Sequence, residues 1–477
     1  MRYKRNHPIF VLEGVYKFIP LLIFPLLRGF VSALKGGFYE WLGGSWVDIS
    51  VVLVIVTLAI LRWKLTLYAF DGENISLKGG LVTYREKSFP IDRICSVTCE
   101  TPWFFRPFSV TRIRIDTMAG TDRHADISLT LSTPTALEIM SMVNEKINAN
   151  KATMPKTFSP RFLYVMIVSA FLSDSFAGAG FAAALISRAG TLIGEELENR
   201  VKDTLSDIAR MVSFGIPSTL SVIAIVILGG WLVGFVQNLI RHQGLNLCRN
   251  NSTLVVKGGK ITPRTTTIRV RDINFISVKQ GLFTKFIGIY TVFCHCVGVG
   301  KKKEDITTIT PAGNRGEIDK SFSFLVPEFE REKITLRPNF LALFRFVADP
   351  LWFCVGIPIT VWVLTKFIPD SNELLLFFGF MVSAPAYWWL IIRFVDFLTS
   401  GIGANEKSVT LKYSKFLQLN TVIIPWGKIA SIKLRQSPFQ RLDGKCDVFV
   451  YTKGEKNYHH RVRNVDVKMA RKILRVK

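Results

Sequence analysis

The chain lacks a cysteine framework, a nucleotide-binding loop and, above all, acid, and no cleavable leader is expected. Its seven cysteines, at 95, 99, 248, 294, 296, 354 and 446, are odd in number and follow no regular spacing. That pattern excludes a disulfide scaffold and predicts reduced, structural thiols. Cys294-His295-Cys296 has the look of a ligand cluster. On a strand, however, the two cysteines share one face and the histidine takes the other. No second pair accompanies them, so no metal is expected. There is no Walker-type loop. Gly401-Ile402-Gly403 follows an apolar segment and leads into a strand region, so it reads as a linker, not a dinucleotide loop. His459-His460 has no nucleophile motif beside it. No catalytic residue and no cofactor is expected. Met1 to His7 is basic, but the apolar stretch after it lacks a small-residue cleavage site.

Acidic residues number 36 against 61 Lys and Arg, which leaves a net charge of +25. The chain is nonetheless 49% hydrophobic, with 37 Phe and a mean hydropathy of +0.29. Both hold together only if apolar and basic residues are segregated, as in a membrane protein with cytoplasmic domains. Nucleic-acid binding also produces a pI near 9.9. It leaves the apolar segments unexplained, so no nucleic-acid partner is expected.

Six apolar stretches stand out: Val15 to Leu34, Trp46 to Trp63, Phe162 to Ala189, Ile216 to Ile240, Phe346 to Ile368 and Leu374 to Phe397. About 20 apolar residues span a bilayer. The stretches pair into three expected transmembrane hairpins, at 15–63, 160–240 and 346–397, after an N-terminal arm at 1–14. Pro20, Pro25 and Arg28 interrupt the first stretch and Asp174 the third, while Arg393 and Asp396 close the sixth within snorkelling reach of an interface. The connectors inside the hairpins hold only Lys35, Arg188, Arg200, Lys202, Arg210 and Lys366. The positive-inside bias then puts the remaining segments and both termini in the cytoplasm. The expected location is the cytoplasmic (inner) membrane, multi-pass.

Between the hairpins one unit recurs, at 64–150, 241–329 and 398–477. Ile94, Val97, Phe104, Arg106 and Ile113 fall without a gap on Ile273, Ile276, Phe283, Lys285 and Val292 at an offset of 179. A further 156 brings them to Ile429, Ile432, Phe439, Arg441 and Val448. Each unit reads as short alternating strands around an aromatic turn, closed by a helix. In the first the helix starts at Thr133-Pro134 and carries Leu137, Met140, Val143 and Ile147 on its apolar face. Gly313 to Val326 is the expected helix of the second. Val465 to Val476 is that of the third, with Val465, Met469, Ile473 and Val476 opposite Lys468, Arg471, Lys472 and Arg475.

An apolar hairpin followed by a basic module, three times over, resembles the membrane-flanked bacterial pleckstrin-homology-like (PH-like) domain family. The residues that carry the resemblance are Lys78-Gly79-Gly80, matched by Lys257-Gly258-Gly259, and the element Phe89 to Val97 with its variant Ile424 to Ile432. The second copy departs at Arg269-Val270, where Phe-Pro or Ile-Pro is expected. The resemblance implies a curved antiparallel barrel capped by a C-terminal helix in each module. It implies no enzymatic activity and no established ligand. The expected fold is therefore six transmembrane helices in three hairpins with three PH-like barrels.

Trp103, Phe105, Arg106 and Phe108, with Lys285 and Arg441 in the later turns, are candidate contacts to an anionic membrane or a neighbouring module. The competing reading has the turn Phe plugging the barrel beside a solvated cation. Lys468, Arg471, Lys472 and Arg475 are candidates for anionic lipid, at roughly 1 kcal/mol per cation, or simply the solvated face of a capping helix. The expected function is a non-enzymatic scaffold binding protein partners and anionic lipid, the proteins being a smaller single-module relative or a second copy. The alternative is a regulatory component of a transporter or channel.

Overall fold

The computed structural model describes residues 3–16, 38–81, 83–117, 126–147, 156–172, 218–250, 252–296, 308–369, 372–415, 418–453 and 459–476. The N-terminal arm gives β1 (Lys4–Arg5). The first module runs β2 (Leu67–Phe70), β3 (Asn74–Gly79), β4 (Arg85–Pro90), β5 (Ile94–Glu100), β6 (Val110–Thr117) and β7 (Ile127–Ser132), then helix Thr133–Ile147. A linker strand, β8 (Lys156–Phe158), precedes the second. That module repeats the order with β9 (Asn246–Asn250), β10 (Thr253–Gly258), β11 (Arg264–Arg269), β12 (Ile273–Gln280), β13 (Ile289–Cys296), β14 (Thr308–Asn314) and helix Arg315–Leu325. The third has β15 (Gly401–Ala404), β16 (Ser408–Lys415), β17 (Gln418–Pro425), β18 (Ile429–Arg435), β19 (Lys445–Thr452), β20 (His459–Asp466) and helix Val467–Leu474.

Each hydrophobic core belongs mainly to one module. Tyr68, Ile75, Val97, Ile113, Ile127, Leu129, Ile139 and Val143 pack together in the first. Leu247, Leu254, Ile276, Val292 and Ile318 pack in the second. Leu411, Ile424, Val448, Val462, Ala470 and Leu474 pack in the third. Leu137 and Met469, expected on buried helix faces, are 56% and 53% exposed, because Ala136, Ile139 and Ala470 fill those contacts instead.

The sheets, unlike the cores, run from one module into the next. The strand orders are β1-β2-β3-β4, then β7-β6-β5-β11-β10-β9-β8, then β14-β13-β12-β17-β16-β15, then β18-β19-β20. The expected closed barrels are therefore corrected to open antiparallel sheets. The physical reason is visible at β5, whose free edge is taken by β11 of the following module. β12 is taken by β17 in the same way. A strand that pairs outward cannot close its own module. Thr98 and Thr266 hydroxyls meet across the first junction at 3.2 Å, and Glu100 stands opposite Arg264. At the second, Phe275 points into the third core while its neighbours Ile276 and Val278 point into the second.

The departure at Arg269-Val270 is explained by the first junction. The register makes Ile268 and Arg269 the equivalents of Phe89 and Pro90, so only the proline is lost. Arg269 reaches into the first module, where Nη1 donates to the Asp92 carbonyl (2.5 Å) and Nη2 to that of Ile91 (3.1 Å). Gly401-Ile402-Gly403 is a strand and not a linker. Its bare glycines let Lys333 to Arg337 pass close by, and Ile402 exchanges backbone hydrogen bonds with Leu336 (2.8 and 2.9 Å).

The membrane helices also differ from expectation. Among the described residues two helices, not six, are long and apolar enough to cross a membrane: Phe340–Phe367 and Leu375–Thr399. The second stretch lies on helix Phe38–Leu65, which opens with Glu40 and Asp48 and ends with Arg62 and Lys64. The third stretch is described only over helix Phe162–Leu172. The fourth lies on the 25-residue helix Ser218–His242. Residues 17–37 and 173–217, with Arg28 and Asp174, are outside the described residues. Arg393 and Asp396 do not snorkel. They are 6% and 2% exposed, paired at 3.5 Å, and both hydrogen-bonded to Ser414 of β16.

Arg269→Ala removes a two-pronged cation from two carbonyls and should cost about 2 kcal/mol. Arg269→Lys should not restore it, because a single ammonium cannot reproduce the fork. Both should appear as earlier proteolysis between the first two modules, and wild-type resistance in either variant would refute the assignment. At the second junction Phe275 stacks on His295 (4.3 Å) and meets His460 edge-on (4.7 Å). Burial pushes both imidazoles down to about 3, helped by Lys279 near His295 and by Lys415 and His459 near His460. Unfolded histidine takes its proton near pH 6.5, so in this window the unfolded state binds more protons. The contribution is complete above pH 6.5 and drains away towards pH 3. The melting temperature should fall through that window, and His295→Gln with His460→Gln should flatten the slope.

Candidate membrane-facing end

The helix Phe38–Leu65 ends one residue before β2, and Leu67 pairs with Lys78 beside the Lys78-Gly79-Gly80 turn. Gly80 has φ +138, and a Cβ there would meet the Thr83 backbone, so the turn requires glycine. Gly259 takes the same role in the second module at φ +84. Its amide donates to the Gln243 carbonyl, just past helix Ser218–His242 (3.1 Å). The antiparallel register places the far end of β5, and hence the aromatic turn, beside the hairpin turn of the next module. The Thr101 amide donates to the Pro263 carbonyl (3.0 Å), and Arg106 Nη2 donates to that of Lys260 (2.7 Å). Helix entry, hairpin turn and aromatic turn thus share one end of each module.

The three aromatic turns are short helical tips: Trp103–Phe108, Leu282–Ile287 and Pro438–Leu442. In the first, Phe105 is fully buried against Ile9 and Val110 under the Arg112 guanidinium (5.5 Å), so it is not a surface contact. Trp103 and Phe108 are exposed. In the second, Phe283 lies on Trp388 of the last apolar helix (4.6 Å), and Leu282 packs with Ile392. Burial lowers the Lys285 ammonium, and Asp396 pulls it partly back. In the third, Arg345 at the start of helix Leu343–Phe367 grips Asp443 (2.9 Å) and Asn464 (2.7 Å). Arg441 is exposed. The turn Phe does not plug a barrel in any copy: Phe104 is half-buried on Phe105, and Phe283 and Phe439 are exposed.

Sequence reasoning missed the largest features of this end. Phe286 is 81% and Leu442 87% exposed, and Phe340, Leu341 and Phe344 lie bare at a helix start. The signal was available, since Phe286 and Leu442 occupy one repeat position, but Pro107 fills it in the first copy. The terminal basic helix is arranged differently. Asp466 caps it by accepting from the Met469 amide (3.1 Å), and Ala470 and Leu474 join the third core. Lys468, Arg471, Lys472 and Arg475 are all exposed. Arg475 sits over Trp426 (5.0 Å), at the opposite end of β18 from the tip, so a strand length of about 20 Å separates them. The basic face runs away from the tips rather than lying level with them. Cys294 and Cys296 face the second core while His295 faces Phe275. Burial pushes the Cys294 thiol up to about 12, so it is inert at neutral pH.

The family described as Bacterial PH domain matches residues 18–147, 204–311 and 354–476, most of the chain. The chain belongs to the bacterial PH domain family. It is also 21% identical over 468 residues to the transmembrane protein YdbT of Bacillus subtilis (strain 168), covering 92% of this chain and 90% of that one. No solved structure matches it. The three PH modules and the transmembrane relative make this a membrane-associated PH-domain protein and point to a non-catalytic one.

If the tips face lipid, a photoactivatable phospholipid in nanodiscs should label 283–287 and 438–442 as well as the apolar helices. Phe286→Asp with Leu442→Asp should cut tip labelling several-fold. Labelling confined to the helices would show that the tips stay dry of lipid.

Proposed function

We propose that the chain is a membrane-anchored adaptor that presents three PH modules to protein partners on the cytoplasmic leaflet. The observation that carries this reading is the common end of the modules. There the apolar tips, their flanking cations and the helix entries all gather. An apolar tip beside a cation suits an anionic interface, where the ring is buried and the charge meets headgroups. The excess of cations outside the apolar stretches favours the cytoplasmic side. The modules are joined by continuous sheets, so they are presented as one body rather than as three tethered domains. A small single-module membrane relative is the partner class proposed.

The transporter reading draws no support from Arg393 and Asp396, since both are spent on Ser414 of the third module. Purification in mild detergent tests the proposal. A stoichiometric complex with a second membrane protein carrying a PH module is the expected result. A monomer that conducts a solute across liposomes would overturn it.

A further inference from the structure

The two inter-module junctions are built to one register. Val97 of β5 stands opposite Thr267 of β11, and Ile276 of β12 stands opposite Ile423 of β17. Val97 and Ile276 are the same repeat position, 179 apart; Thr267 and Ile423 are another, 156 apart, and Ser88 is its counterpart in the first module. The rule leaves two strands over. Among the described residues, β4 at the start of the series and β18 at its end each have a neighbour on one side only. Their counterparts at the junctions are buried almost throughout. In β4 all residues but Phe89 are exposed, and in β18 Ala430, Ser431, Lys433 and Arg435 are exposed. An open edge of this length is a template for an added strand.

A second copy, joined by the same register, would set Ile432 opposite Ser88. Lys433 would then face Lys87, and Arg435 would face Arg85. Like charges directly opposite destabilise a pair of strands. The internal junctions avoid this: the same two positions hold Thr98 against Thr266 and Glu100 against Arg264 in the first, and Ser277 against Val422 and Lys279 against Asn420 in the second.

We propose that β18 is the docking edge for an antiparallel strand of a different polypeptide, one carrying carboxylates opposite Lys433 and Arg435. The occupant stands where β11 and β17 stand at the internal junctions, extending β18-β19-β20 as a continuous sheet. The cationic pair selects it and rejects a second copy. This deepens the adaptor reading by naming the edge and the chemistry of its partner.

The test uses the full chain in detergent, with Arg85→Glu and Lys87→Glu in one preparation as the acidic probe. Both positions are exposed, so the substitution leaves the fold intact. The wild type should remain monomeric by native mass spectrometry. The acidic variant should associate head to tail and capture differently tagged wild type about tenfold or more tightly than wild type captures itself. Ser88→Cys in the probe and Ile432→Cys in its target should form a disulfide, since opposed residues stand within bonding range. Adding Lys433→Glu and Arg435→Glu to both partners should abolish capture. A probe that fails to capture wild type overturns the proposal. So does a chain carrying only Ser88→Cys and Ile432→Cys, its Arg85 and Lys87 intact, that cross-links between copies, which makes a second copy the occupant. Neither result bears on whether the native chain co-purifies with a membrane partner, so the adaptor reading stands or falls separately.

Discussion

A strand edge must be hydrogen-bonded, solvated or covered. Here that requirement is met between modules. β5 lends its edge to β11, and β12 lends its edge to β17. The cores remain mainly modular while the sheets are shared, so hydrophobic packing and backbone hydrogen bonding divide the work. Packing defines each module, and hydrogen bonding fixes the angle and order in which modules follow one another. Separating two modules would unpair five opposed residues on each strand at either junction. It would also strip the carbonyls of Ile91 and Asp92 from Arg269.

The repeat, the hairpin glycines and the closing helices were legible in the sequence because each is local. A turn at Gly80 or a helix start at Thr133 depends on residues a few positions away. Sheet partnership is not local. Alternation along Ile94 to Glu100 states which side chains share a face, but the same alternation serves a strand that closes its own module and one that pairs outward. Three residues held the missing information. Arg269 stands where the other two copies hold Pro90 and Pro425, and Glu100 and Arg264 are opposite charges at positions that meet only between modules. Read together, they would have signalled the shared sheet.

The aromatic turn was misread for a related reason. Phe104 recurs in all three copies, yet Phe105, which does not, is the buried ring. Repetition selected half-buried Phe104 with its exposed counterparts Phe283 and Phe439, whereas burial of Phe105 followed the N-terminal arm through Ile9. The second tip leans on Trp388 and the third is clamped by Arg345. Each tip is thus seated by a different segment on a common plan.

The net charge of +25 takes on a specific meaning in this arrangement. Part of the acid is spent on staples within the chain. Glu100 pairs with Arg114, Glu328 with Arg249, Asp443 with Arg345, Asp349 with Arg463, and Asp447 with Arg461. These carboxylates join strand to strand or module to helix, and they leave the outer surface to unmatched cations. Such a surface is drawn to an anionic leaflet and repels its own kind. The exposed cations at Arg85, Lys87, Lys433 and Arg435 express the same imbalance at the two open edges. On the proposed reading one composition serves two ends: it draws the modules towards the membrane, and it reserves the last sheet edge for a partner that brings the acid this chain lacks.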